Sequence, residues 1–105
     1  MARRAIVAAN WKMNGDLALV DTMISELANV ELQENVSVVV CPSSPYLSEL
    51  ASKVKSNNLS GIIHVGAQNV SEHQSGAYTG QVSAKMLQEL SVEFAIVGHS
   101  ERRCF

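Results

Sequence analysis

The 105-residue chain reads as an α/β fold built on parallel strands. Three observations predict it. Four short apolar runs rich in β-branched residues stand at Ala5–Ala9, Val36–Val40, Gly61–Gly66 and Phe94–Val97. Between them lie three segments whose apolar residues recur at helical spacing. Each connection is long enough to carry a helix, which implies parallel strands joined by right-handed crossovers. The order β-α-β-α-β-α-β is compatible with an open, doubly wound sheet and with a closed barrel.

Taken in order, Ala5-Ile6-Val7-Ala8-Ala9 is apolar at every position, the pattern of a strand covered on both faces. Asp16 then caps a helix whose inner stripe is Leu17, Val20, Ile24 and Leu27, with Glu26 and Asn29 turned outward. Val36–Val40 is the second strand, ended by Cys41-Pro42. Ser44-Pro45 predicts an N-cap followed by proline at the first helical position. Tyr46, Leu47, Leu50, Ala51 and Val54 fill one face of that second helix; Lys53 and Lys55 sit in its last turn, and Asn57-Asn58 end it. Gly61–Gly66 is the third strand. From Ala67 to Gly80 neither period 2 nor period 3.6 holds, and a loop of this length usually has a task. Its Gln68-Asn69, Ser75-Gly76 and Thr79-Gly80 are turn chemistry, and His73 among Glu72, Gln74 and Ser75 is expected to be solvated. Val82, Met86, Leu87 and Leu90 mark a third, shorter helix, and Phe94–Val97 the fourth strand.

Composition narrows the function. At this length one domain is the default. The hydrophobic content of 47% suits a core-forming protein. A net charge of −2 with 17% charged residues, and no basic stripe or like-charge block, argues against nucleic-acid and membrane-surface roles. Cys41 and Cys104 are too few for a disulfide scaffold and lack metal-type spacing; Cys41 reads as a core thiol. With His64, His73 and His99 scattered, no metal site is expected. After Arg3-Arg4 only about five apolar residues follow, short of the roughly 7–15 of a secretory signal. Nothing approaches the roughly 20 of a membrane span, so the cytosol is the expected compartment.

The chemistry lies at two strand ends. Phe94–Val97 stops at Gly98 and delivers His99, followed by Ser100-Glu101-Arg102-Arg103, a short charged segment that opens like a helix. A helix N-terminus favours neutral imidazole over imidazolium. A lone histidine in a turn is commonly satisfied by backbone, but Ala8-Ala9-Asn10-Trp11-Lys12-Met13-Asn14-Gly15 ends the first strand in the same manner. In a parallel barrel all strand C-terminal ends meet on one face, where Asn10, Lys12 and His99 would converge. Lysine supplies positive charge for an anionic substrate or a developing oxyanion, and neutral imidazole and asparagine supply hydrogen-bond donors. Glu101 either pairs with Lys12 or is the first-turn acid a helix favours. No Gly-x-Gly-x-x-Gly follows the first strand and no phosphate loop is present. Gly98-His99-Ser100 is not a nucleophile elbow.

Four blocks, Ala9–Gly15, Gly66–Asn69, Gly76–Gly80 and Gly98–Arg103, together resemble the triosephosphate isomerase family in order and spacing, from residue 5 to 105. The resemblance implies a (β/α)₈ barrel of which residues 1–105 are the N-terminal half, about four strands and three helices of one domain. It implies interconversion of dihydroxyacetone phosphate and glyceraldehyde 3-phosphate by proton transfer through an enediolate, as in glycolysis and gluconeogenesis, without a cofactor. By match to the family's motifs, Lys12 binds phosphate and polarises the substrate oxygen, and Asn10 positions substrate. The match makes His99 the neutral electrophile, an assignment established for the family's enzymes together with their carboxylate base. Ser100 and Glu101 support the site. The family forms homodimers whose third loop enters the neighbour's site. That role fits Ala67–Gly80, with Thr79 reaching the partner's Asn10 and Lys12, and Gln68, Thr79 and Arg102 at the interface. Gln81 stands where the family often has glutamate, which bears on an ion pair between this loop and Arg102.

A barrel of this kind takes roughly 250 residues. The family's glutamate base after strand six, its mobile lid and its glycine-rich phosphate grip have no counterpart in these 105 residues. The chain alone is therefore expected to be inactive, with unpaired edges on strands one and four. Two rival readings are a non-catalytic half-barrel assembly module and another phosphate-binding barrel. Intact Asn10, Lys12 and His99 favour the isomerase over the first, and the loop from Ala67 to Gly80 over the second.

Overall fold

A computed structural model of the chain describes residues 5–31 and 35–103; Arg3, Arg4 and Cys104 lie outside them. In chain order the elements are β1 (Ala5–Asn10), α1 (Leu17–Leu27), β2 (Val36–Cys41), a 3₁₀ turn (Ser44–Tyr46), α2 (Leu47–Ser56), β3 (Ile63–Ala67), α3 (Ala84–Glu89), β4 (Phe94–Ala95) and α4 (Ser100–Arg103). The four strands form one parallel sheet in the order β1-β2-β3-β4. Each crossover adds the next strand on the same side, without the reversal that defines a doubly wound sheet. This is the winding of the N-terminal part of a (β/α)₈ barrel.

The core lies between the sheet and its helices. The register aligns Val38 with Ile63 and Val40 with Val65, so these residues share a face. Val40, Ile63, Val65 and Ala67 pack there with Val20 and Ile24 of α1 and Leu47, Leu50 and Val54 of α2. Asp16 starts α1 by accepting from the Leu19 N–H at 2.7 Å. Lys53 joins the two helices through Asp21 on α1 and Glu49 on its own helix. The hydrogen bond to Asp21 holds the Lys53 ammonium above its ordinary range. On the opposite face Gly66 leaves room for side chains of β2. A Cβ there would lie 2.6 Å from Cys41 Sγ and 3.1 Å from Val39 Cγ1.

Several expectations are corrected. β1 is not covered on both faces: all six residues are exposed, Ile6 at 59% and Val7 at 57%. Among the described residues it is an edge strand paired with β2. β4 is likewise an edge strand among these residues and pairs over Phe94 and Ala95, flanked by two further bonds, from Glu93 N–H to the Val65 carbonyl and from Ile96 N–H to the Ala67 carbonyl; Val97 is exposed. Leu17, in the first turn of α1, and Met86 and Leu90 around the six-residue α3, are also exposed, leaving Val20, Ile24 and Leu87 as the buried positions. Ser44 does not cap α2: Ser44-Pro45-Tyr46 forms a 3₁₀ turn whose N-cap position is Ser43, and the N-cap position of α2 itself is Tyr46, neither with a side-chain capping bond. β3 begins at Ile63, two residues late, since the Ile62 and Ile63 N–H groups both turn back to the Leu59 carbonyl.

Residues 68–83 contain no helix or strand but are tied to themselves. Ser71 N–H donates to the Val82 carbonyl at 2.8 Å, and Ser71 Oγ to the Gln81 amide oxygen at 2.6 Å. His73 is not simply solvated: its ring stacks on Tyr78, centroids 3.8 Å apart.

Candidate active site

Because the strands are parallel, their C-terminal ends lie along one edge of the sheet. A cavity of about 810 Å³ opens there. Asn10 and Lys12 reach it from β1, Gln68 from β3, Thr79 from the long loop, and His99, Glu101 and Arg102 from β4 onward. A larger cavity of about 1100 Å³ lies between α2, β3 and α3 and contains none of these residues.

Lys12 has a left-handed backbone, φ 57°, which is costly for a side-chain-bearing residue and persists only where neighbours hold it. Its N–H donates to Asn10 Oδ1 at 2.9 Å. Its carbonyl accepts from Ser43 Oγ and from Gln68 Nε2, each at 2.8 Å. The same Gln68 nitrogen donates to the Cys41 carbonyl at 3.0 Å, tying the ends of β1, β2 and β3 together. Lys12 Nζ lies 3.4 Å from Glu101 Oε1, and both side chains are more than half exposed.

His99 is delivered by Gly98, whose φ of 69° a residue with a Cβ rarely adopts. His99 Nδ1 accepts the Glu101 backbone N–H at 3.1 Å, in the first turn of α4. A ring nitrogen that accepts from an amide carries its lone pair there, so the ring proton sits on Nε2 and the imidazole is neutral. The 3.6 Å approach of the Glu101 carboxylate to Nδ1 is then proximity, not an ion pair. Glu101 fills both roles the sequence allows, as the partner of Lys12 and as the acid in the first turn of a helix. A cation and a neutral imidazole donor thus share one hollow at the strand ends.

The family model described as triosephosphate isomerase matches residues 5–105. The chain belongs to the triosephosphate isomerase family. The triosephosphate isomerase of Colwellia psychrerythraea strain 34H is 69% identical over 103 residues, covering 98% of this chain and 40% of that protein. Those of Shewanella denitrificans strain OS217 and Shewanella oneidensis are each 43% identical over 104 residues, 96% of this chain and 40% of theirs. The chain spans about 40% of the length of the curated relatives it matches.

The remaining residues that the family resemblance singled out divide by surroundings. Thr79 and Arg102 line the same cavity as Lys12 and His99 of their own chain. Gln68 donates to the Lys12 and Cys41 carbonyls. Ser100 opens α4 but does not line the cavity. Gln81, in place of the family's frequent glutamate, accepts from Ser71 within the loop. Sequence reasoning missed Ser43, whose one local signal, a serine two residues before a proline, points to capping rather than to Lys12. Among the described residues no group of three or more His, Cys, Asp or Glu side chains is arranged to hold a metal ion, and no helix is long and apolar enough to cross a membrane.

Proposed function

We propose that this chain forms the N-terminal part of an enzyme that interconverts dihydroxyacetone phosphate and glyceraldehyde 3-phosphate. A base removes a proton from the carbon next to the substrate carbonyl, and negative charge develops on the carbonyl oxygen of the enediolate. His99 donates Nε2–H to that oxygen while remaining neutral, which avoids forming a cation and then having to discharge it. Lys12 Nζ supplies fixed positive charge to the oxygen and the phosphate, and Asn10 holds both the Lys12 amide and the substrate. Ser100 and Glu101 support the pair, Glu101 through its backbone N–H on His99 and its carboxylate on Lys12. The base is a family glutamate with no counterpart in these 105 residues. Glu101 is ill suited to replace it, since its carboxylate already faces the Lys12 ammonium. The active form is a cytosolic homodimer in which residues 67–80 of one subunit reach the other's site, with Gln68, Thr79 and Arg102 near that contact.

The observation that carries this reading is the Glu101 N–H on His99 Nδ1 beside the Lys12 ammonium. The test is a chimera in which residues 1–105 replace the matching segment of the Colwellia relative. It should isomerise dihydroxyacetone phosphate in a coupled assay, and His99→Gln should lower kcat by about 10²–10³ with KM nearly unchanged. A folded chimera without activity, or one indifferent to His99→Gln, would contradict it.

A further inference from the structure

Ser43 has a task that neither its position nor its neighbours in sequence announce. It occupies the N-cap of the Ser44–Tyr46 turn with suitable dihedrals, φ −60° and ψ 150°, yet its side chain makes no capping bond. An N-cap serine normally accepts from the amide two or three residues on. Here the Tyr46 N–H is taken by the Ser43 carbonyl, and the hydroxyl donates instead to the Lys12 carbonyl at 2.8 Å, 31 residues away. The acceptor matters. Three non-glycine residues among those described have positive φ: Lys12, Asn58 and Ser91. Asn58 and Ser91 follow the ends of α2 and α3, where a left-handed residue is a common helix terminator. Lys12 ends no helix; Asn10 Oδ1 holds its N–H locally, and its carbonyl is held by side chains from elsewhere in the chain. If φ relaxed to a negative value, the Lys12 carbonyl would swing and Nζ would leave its place by Glu101.

We propose that Ser43 is a positioning residue for the Lys12 ammonium. Its hydroxyl fixes the Lys12 carbonyl from the end of β2 while Gln68 fixes it from the end of β3, and together they hold the strained backbone that aims Nζ into the cavity. The consequence for turnover rests on the isomerase reading; the hold on the Lys12 backbone does not. Since Gln68 remains, losing Ser43 loosens Lys12 without releasing it. The expected loss is about tenfold in kcat/KM, the scale of one hydrogen bond.

The chimera described above tests this with Ser43→Ala, Ser43→Cys and Ser43→Thr, read by kinetics, thermal midpoint and the ¹³C shift of the Lys12 carbonyl. Ser43→Ala should lower kcat/KM about tenfold with little change in midpoint, and move the Lys12 carbonyl resonance upfield as a donor is lost. Ser43→Thr, which keeps the hydroxyl, should restore both; Ser43→Cys, a weak donor, should fall between and serves if the alanine variant does not fold. Parent-like kinetics and an unmoved carbonyl shift in Ser43→Ala, or in Ser43→Cys in its place, overturn the proposal. So does a Ser43→Thr variant that folds but restores neither. If the parent chimera itself does not isomerise, the isomerase reading fails, and the carbonyl shift alone decides the role of Ser43.

Discussion

Lys12 combines an exposed charge at the cavity with a backbone it cannot hold unaided. Its ion pair with Glu101 contributes little to that hold, because both side chains are more than half exposed and such pairs are typically worth less than about 1 kcal/mol. In the folded chimera, Glu101→Gln should therefore shift the urea-unfolding free energy by no more than about 0.5 kcal/mol. A loss of several kcal/mol would mean that the pair is structural. Cys41 is the opposite case, 2% exposed, its thiol pushed above the ordinary value by burial. A raised native pKa means the folded chain keeps this proton after the unfolded chain has released it. Stability should be independent of Cys41 below its ordinary value near 9.0 and fall as pH rises above it. Replacing Cys41 by alanine should flatten that alkaline limb in pH-dependent unfolding. That Asn10, Lys12 and His99 share one cavity was legible because each lies where an apolar run gives way to polar residues. The parts played by Ser43 and Gln68 were not, since their acceptor lies 31 and 56 residues away and nothing local marks it.

At the scale of elements, caps and close approaches decide what can be changed. Asp16 bonds the Leu19 amide at 2.7 Å, so Asp16→Ala should cost about 1 kcal/mol in chemical denaturation. Gly66 lets β3 meet β2, and the intruding atom in Gly66→Ala would face Cys41 Sγ at 2.6 Å from inside a packed layer. That substitution should destabilise by about 1–3 kcal/mol, and more in combination with a larger side chain at position 41. The helices were legible from periodicity, because a packed stripe has to recur every three or four residues. The side-by-side order of the strands was not, since the alternation of strands and helices fits an open sheet and a barrel alike and only the family resemblance pointed to the barrel. Periodicity names a stripe but not the neighbour that covers it. Hence Leu17, Met86 and Leu90 share the helical spacing of the packed stripe yet are exposed, while His73 stacks on a partner five residues away inside a loop with no period at all.

At the largest scale, the described residues form a parallel sheet with β1 and β4 at its edges and with apolar side chains such as Ile6, Val7 and Val97 exposed. Edges of this kind pair with whatever strand is offered. The 105-residue polypeptide on its own should sediment as associated species and show no isomerase activity; a monodisperse, active monomer would contradict this. Within the sheet, however, the strand ends already bring the cation and the imidazole to one cavity. The central claim is that His99 waits there as a neutral donor, fixed by the Glu101 amide. It is tested most directly by ¹⁵N NMR of the chimera, looking for scalar coupling between the Glu101 amide nitrogen and His99 Nδ1 at neutral pH. The account predicts that coupling, with the ring proton on Nε2. A protonated Nδ1 without coupling would contradict it.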